Sequence, residues 1–455
     1  MAKTKTTIWI CLYAVLIVLT MGIGIFALSN SEISSYSSVY YTATNPVISK
    51  EKFKAAFLEF QEEVEGGITS IIFDYYDPET TAFYSPDGGV TKIDFRTMSD
   101  SCKRDVSTYA DGSINAYRHE NNIYVVSSEK ITMPANSSAF FCTVEPVAGK
   151  ALHVSQDDND LKTVKKLLLR NIDTSKVTSM AYMFFRMSQL EEVDISKFDT
   201  SSLSNMGFLF MECTSLKEID ISHFDTSKLG GALYLFRGCT KLVSANISGL
   251  DFSHLDSYGL TCMFHSCKNL EMVDMRGINT KGVKSFSMFF LECDKLTFVD
   301  DVKGFTEIDT SSATSMAGMF HSCSNVQSLN LNFFDTSKVT DMHQMFNGNR
   351  NLQSLDICSW NTSKVTKTAY MFFNCNNLSA VYVGRGWTMQ SVTKDVFDSL
   401  SYKEIEGDYN MFANCTKLPN WNENKIDGVA VTDFTYAYAG YNSTTKKYGY
   451  LTLKN

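Results

Sequence analysis

The most regularly spaced residues able to do chemistry in this chain are acidic or amide-bearing. Asp194, Asp220, Asn246, Asp274, Asp300, Asn330 and Asp356 recur at one place in a repeated phrase. Such a column suits a basic protein partner or a glycan, and it equally suits a solvated sheet face. Like charges directly opposite one another repel, which a bound cation would relieve, but no Ca²⁺-loop motif is present. A second column is made of thiols: Cys213, Cys239, Cys267, Cys293, Cys323, Cys375 and Cys415, seven of the 12 cysteines. The paired C-x-x-C spacing of a zinc site is absent. Equivalent side chains in a stack run parallel, which suits disulfide bridging poorly, so these thiols are expected to act as small buried hydrophobes. Cys102 and Cys142 stand outside the column and are a candidate disulfide in an oxidising compartment. His265 and His321 share one repeat position and read as repeat decoration. There is no G-x-S-x-G elbow, H-E-x-x-H, P-loop or dinucleotide fingerprint. No catalytic residue, metal ligand or cofactor is therefore expected.

The charge balance narrows the class further. Lys and Arg number 41 against 50 Asp and Glu, a net charge of −9, with 44% hydrophobic residues. That content excludes a disordered chain. The acidic balance argues against nucleic acid as a partner.

The elements that position these columns follow from one period. A Met-Phe, Leu-Phe or Phe-Phe pair ends at Phe184, Phe210, Phe236, Phe264, Phe290, Phe320, Phe346, Phe372 and Phe412, and five of the eight steps are 26 residues. Most copies carry Cys three positions later and Leu three beyond that. The following stretch, Leu190 to Ile195 in one copy, alternates apolar and polar residues, which is strand periodicity. Asp-Thr-Ser, as at Asp199 to Ser201, then punctuates it as a turn or helix-cap signal. Val177, Met180 and Phe184 stand at i, i+3 and i+7, which predicts one or two helical turns. A unit of this length cannot bury its apolar face alone, whereas stacked units can.

The expected fold is a repeat solenoid of α/β leucine-rich-repeat type. Each repeat of about 26 residues supplies one short strand and one short helix, with the strands in a parallel sheet. The predicted organisation is a signal anchor or signal peptide over 1–28, a flexible stalk over 29–50, an α+β N-terminal cap over 51–156, the solenoid over 157–418 and a β C-terminal cap over 419–455. Within the cap, a helix is predicted from Phe53 to Val64, with strands near Ile71, Ile93 and Val125; a closing strand is expected near Tyr450. Residues 8–28, from Ile8 to Leu28, carry no charge; Lys3 and Lys5 precede them and Glu32 follows. About 20 apolar residues span a bilayer, and flanking positive charge stays inside. The N-terminus is then cytoplasmic and the repeats are outside; cleavage near Ala27 would instead give a secreted protein. Cys11 reads as apolar filler in the span.

The phrase from Phe334-Asp-Thr-Ser-Lys-Val-Thr-Asp-Met-His-Gln-Met to Phe346, with its sister copies and the trailing Cys-x-x-Leu, resembles the BspA-like leucine-rich-repeat surface proteins of bacteria and some protists. The ending is similar as well: Tyr382-Val-Gly-Arg-Gly-Trp387, then Met411, Phe412, Cys415 and Leu418, then Gly449-Tyr450. So is the lead-in Asp111-Gly-Ser-Ile114 before Tyr124. The resemblance covers about 65–455. Met187 and Asn349 depart from it by replacing the column cysteine, as do the 40-residue eighth step and Gly282. It implies a surface-exposed adhesion or interaction protein that binds an extracellular protein or glycan, with the membrane contacted through 8–28. Some relatives carry a lipase label, against which the missing elbow counts. An extracellular hydrolase in the 51–156 region and a purely architectural coat protein are the competing expectations. The inserts at 300–308 and 387–410 are the irregular loops, where specificity more often resides.

Overall fold

The computed structural model describes residues 45–75, 82–84, 90–93, 95, 98–142, 160–298, 300–392, 411–421, 425–426, 429–430, 437, 441–442 and 447–454. The 8–28 run with Cys11, the stalk through 44, part of the cap beyond 142 and most of the 387–410 insert lie outside them. Among the described residues no helix is long and apolar enough to cross a membrane. One compact unit runs from Pro46 to Asn455. It takes in the end of the expected stalk, because Val47 and Ile48 bridge to Thr132 and Ser107.

The one α-helix among the described residues is Lys50–Glu62. Ser49 caps it, its Oγ accepting from the Lys52 amide at 3.3 Å. Phe53, Ala56, Phe57 and Phe60 form its buried stripe, and Phe53 packs on Phe140 and Phe141. The helix covers a six-stranded sheet in the order Glu192–Asp194, Lys166–Leu169, Ser70–Tyr75, Asn122–Ser127, Asn115–His119, Lys103–Asp105. The expected cap strands near Ile71 and Val125 and the first two repeat strands therefore share one sheet, whereas the strand expected near Ile93, Val90–Lys92, pairs with Ala82–Tyr84 in a separate hairpin.

Beyond it, repeat strands pair in parallel one repeat apart. Ile219, Ala245, Val273 and Val302 stand side by side in one four-stranded sheet. Leu329, Leu355 and Val381 do so in another, which Thr452–Leu453 closes. These central residues are buried and their neighbours point outward, the two-residue alternation of a half-buried strand. The strands thus fall into three sheets and not the single parallel sheet expected. One break follows Val302–Lys303, inside the inserted residues 300–308.

Among the described residues the helix expected in each repeat is absent; consecutive tight turns replace it. In the first copy Met180, Tyr182, Phe184 and Arg186 donate their amides to Asn205, Gly207, Leu209 and Met211 of the next repeat at 2.9, 3.1, 3.0 and 2.9 Å. The amides between them, on Met183, Phe185 and Met187, turn back to Met180, Tyr182 and Phe184 at 3.0, 3.1 and 3.2 Å. A helix needs every amide for its own i−4 carbonyl, so these repeats trade helical bonds for bonds between repeats. The alternation requires left-handed backbone, with φ of 59° at Tyr182 and 57° at Arg186. The same column holds Glu212 at 61°, Gly238 at 77° and Gly348 at 76°.

Three side-chain columns fasten the stack. The first is aromatic: Phe141, Phe184, Phe210, Phe236, Phe264, Phe290, Phe320, Phe346, Phe372 and Phe412 stack ring on ring, with centroids 4.9 to 6.4 Å apart. Tyr450 closes the row edge-on at 5.2 Å. The second is the threonine of Asp-Thr-Ser. The hydroxyls of Thr174, Thr200, Thr226, Thr280, Thr310, Thr336 and Thr362 accept the amide of Asp199, Asp225, Asp251, Asp309, Asp335, Asn361 and Thr388 at 2.7 to 2.9 Å. Each of these hydroxyls is buried. Thr226→Val keeps the shape and removes the acceptor, leaving the Asp251 amide unpaired. It is expected to cost about 1–3 kcal/mol, read as a lower urea midpoint; no change would show that water replaces the hydroxyl.

The third column is the thiols. Cys213, Cys239, Cys267, Cys293, Cys323, Cys375 and Cys415 each bond the carbonyl of the preceding repeat's row phenylalanine, at 2.8 to 3.2 Å. Asn349 occupies the same column. It is fully buried and neither atom of its amide has a partner. Asn349→Cys removes an unpaired buried amide and supplies the thiol that the other repeats use. The variant is expected to be about 1–3 kcal/mol more stable, measured by thermal and urea unfolding. A destabilised variant would show that the amide is satisfied in solution.

Candidate ligand-binding face

The outward residues of the repeat strands build the candidate face, and strand register decides which of them share a column. Asp220, Asn246 and Asp274 are direct neighbours, as are Asn330 and Asp356, which continue to Tyr382 and Thr452. Asp194 lies opposite Leu168 in the cap-containing sheet. Asp300 leaves the column: Lys303 stands beside Asp274 in its place. The reason is local. Asp301 folds its carboxylate back to accept from the Phe298 amide at 2.8 Å and the Thr297 hydroxyl at 2.9 Å, and the strand resumes only at Val302.

Each column carboxylate or amide oxygen is already at work in a turn. Asp194 Oδ1 accepts from the Ser196 amide and hydroxyl at 3.1 and 2.7 Å. Asp220 does the same with Ser222 at 2.9 and 2.7 Å, and Asn246 with Ser248 at 3.2 and 2.8 Å. Asn330 accepts from the Asn332 amide at 3.1 Å, and Asp356 from that of Cys358 at 3.3 Å. These are Asx turns that end the strand. They explain why Asp and Asn alternate freely in this column: both offer the same Oδ1.

Charge on the face is mixed. Asn246 Nδ2 donates to Asp220 Oδ2 at 3.0 Å. Arg276 Nε donates to Asp274 at 2.9 Å, and Lys454 salt-bridges Asp356. Burial pushes the Asp220 carboxyl up, but the Ser222 and Asn246 bonds outweigh it and hold it below its ordinary value. The Arg276 hydrogen bond lowers Asp274. At Asp356 burial is outweighed by Cys358, Lys454 and Asn332, bringing it down to about 2. Along the strand flank Lys217 meets Glu191 at 3.0 Å and Lys166 meets Glu192 at 3.7 Å. The face offers ionised but largely committed carboxylates, with matched cations, to a polar ligand.

The other candidate residues resolve simply. Among the described residues no group of three or more His, Cys, Asp or Glu could hold a metal. Cys102 and Cys142, the candidate disulfide, are not bridged. Cys102 lies 3.6 Å from Arg118 Nη2, while Cys142 is buried in a separate cluster with Phe185 and Met211. Burial raises the thiols of Cys213, Cys239, Cys267, Cys293, Cys323 and Cys415, Cys239 to about 12, which makes them poor nucleophiles. His265 is held neutral: Arg237 Nε donates to its Nδ1 at 3.3 Å. Burial first, then Arg237, lowers it to about 4. Burial also lowers His321, whose Nδ1 is enclosed without a partner.

Comparison with known proteins gives a family and little more. No curated protein matches. A leucine-rich cell surface protein of Faecalibacterium prausnitzii A2-165, known from a crystal structure, is 16% identical over 63% of this chain and 97% of its own, with a TM-score of 0.20. At that score the likeness carries no argument about this chain. The profile of one family matches residues 155–273 and 284–404, more than half of the chain and nearly all of its repeats. The chain belongs to the family described as Mycoplasma protein of unknown function, DUF285.

Proposed function

We propose that this chain is a non-catalytic surface interaction protein. Its repeats form a solenoid held outside the cell, by the 8–28 run as an anchor or after secretion, and its strand face meets an extracellular protein or glycan. One observation carries the reading: within each four-stranded sheet the strands pair in register, repeat on repeat, and present outward rows rich in Asp, Asn and Ser. Stacked repeats of this kind create extended binding surfaces. A face of alternating charges and amides suits a polar ligand better than a strongly basic one, and the acidic balance disfavours nucleic acid. The reading needs no cofactor.

The test is an array of matrix proteins, glycans and whole cells probed with the full chain in detergent. The variant replaces Asp194, Asp220 and Asp274 by Asn, which keeps the Asx turns and removes the charge. Retention on a positive spot is expected to fall at least tenfold. Unchanged retention overturns the strand face as the site, and no retention on any spot overturns the interaction reading.

A further inference from the structure

Away from those strand residues, an open cavity of 460 Å³ lies past the ends of the last repeat strands, lined by Asn332, Cys358, Ser359, Gly384, Arg385 and Lys454. Its size falls in the range of small-molecule sites, about 300–1,000 Å³. The backbone builds it deliberately. A Cβ on Gly384 would collide with the Cys358 carbonyl, and one on Gly386 would come within 2.5 Å of the Trp360 carbonyl. The Gly-Arg-Gly turn is thus pressed onto the preceding repeat. Thr362 N donates to Gly386 O at 3.0 Å and Trp387 N to Gly384 O at 3.2 Å. Lys454 is held from the other side, its amide donating to Val383 O at 3.0 Å.

The charges at this cavity do not cancel. Lys454 is matched by Asp356. Arg385 is exposed, and among the described residues it has no ion pair or side-chain hydrogen bond. A chain of net charge −9 therefore holds one unmatched guanidinium at the rim of a cavity. A guanidinium is the side chain best shaped to take a carboxylate on two parallel hydrogen bonds. None of the six lining residues is aliphatic or aromatic, although carbon of their stems and backbone forms more of the wall than polar atoms do. The exposed Ser359 hydroxyl beside Arg385 suits a hydroxyl-bearing ring, and the volume exceeds what a bare carboxylate fills.

We propose that this cavity binds an acidic sugar, with Arg385 pairing its carboxylate and Ser359 meeting a ring hydroxyl. The cavity adjoins the strand face where Lys454 pairs with Asp356, but Asp194, Asp220 and Asp274 take no part in it, so the two proposals fail separately. The experiment titrates the full chain with glucuronate, N-acetylneuraminate, glucose, acetate and a short peptide with a free C-terminus, using saturation-transfer NMR and calorimetry. At least one sugar acid is expected to bind at least tenfold more tightly than glucose and acetate, and Arg385→Gln to weaken it at least tenfold. Arg385 makes no interior contact, so this variant is expected to keep the wild-type melting temperature. A second variant, Ser359→Ala, is expected to weaken the sugar acid and leave acetate unchanged. Binding that survives Arg385→Gln, acetate or the peptide binding as well as the sugar acids, or no binding of either acid at 10-millimolar order, each overturns the proposal.

Discussion

Truncating Phe236 to Ala is expected to remove about 3–5 kcal/mol of stability and to separate the unfolding of the two halves of the repeat array. The ring is fully buried. It stacks between Phe210 at 5.8 Å and Phe264 at 5.4 Å, with interplanar angles of 12° and 14°. The cost of such a truncation depends on how far the surroundings can collapse. Here they cannot collapse far, because backbone bonds set the repeat spacing. Phe210 N donates to Leu235 O at 3.0 Å, and Phe236 N to Met263 O at 2.9 Å. A cavity therefore stays open in the middle of the row. Stability in a stacked array is close to a sum of repeat and nearest-neighbour terms, so weakening one interface uncouples its two sides. Urea unfolding followed by tryptophan fluorescence and by hydrogen exchange would read both effects. A loss below about 1 kcal/mol would show that the aromatic row is not the core of the array.

Acidification from pH 7 to pH 4.5 is expected to destabilise the protein by about 2–3 kcal/mol through His265. The ring accepts from Arg237 and so must be neutral in the folded state, with its pKa lowered to about 4. Unfolded, it titrates near 6.5. Between those values the unfolded chain binds the extra proton, so stability rises with pH through this window and is lost as pH falls. The magnitude comes from about 1.4 kcal/mol per pKa unit, discounted for the solvent contact the ring retains. His321, lowered in the same direction, adds to the effect. Asp341 and Asp356 are lowered carboxylates; their contributions fade only below about pH 4, outside this window. The check is the urea midpoint of wild type and His265→Gln across the range. The variant's curve should be the flatter one, and parallel curves would refute the assignment to His265.

The repeat period, the strand alternation and the burial of the Phe and Cys columns were legible in the sequence, because each rests on residue type recurring at fixed spacing. The turns were not. Val177, Met180 and Phe184 fit a helical face, yet tight turns bury the same three residues. The readable signal was Gly238 and Gly348, which share a column with Arg186 and Glu212; all four have φ above zero. Asp-Thr-Ser was read as a turn signal, and Asp199 and its counterparts do make turns. The buried fastening is the threonine between Asp and Ser, and its partner lies a repeat away, beyond any local pattern. Asp300 was placed in the acidic column by local likeness, which cannot show that an insertion has moved the register to Lys303. Phe141 begins the aromatic row from outside the period. The Arg385 cavity joins four separate chain segments, so no single stretch of sequence announces it.

The irregular repeat over 296–308 bears on folding fidelity. Most interfaces in the array are chemically alike: Phe on Phe, threonine on amide, thiol on carbonyl. A repeat that docked against the wrong neighbour, in its own chain or another, would satisfy nearly the same bonds, which is the ambiguity behind misassembly of repeat proteins. Here the chain breaks its own symmetry. Phe298 and Phe305 wedge beside Phe290 and Phe320, and Phe305 reaches Phe333 and Phe334 in the following strand turn. No other described repeat presents that aromatic block, so only one alignment of the two halves of the array completes it. A stretch that looks like decay of the repeat thereby acts as the key that sets its registration.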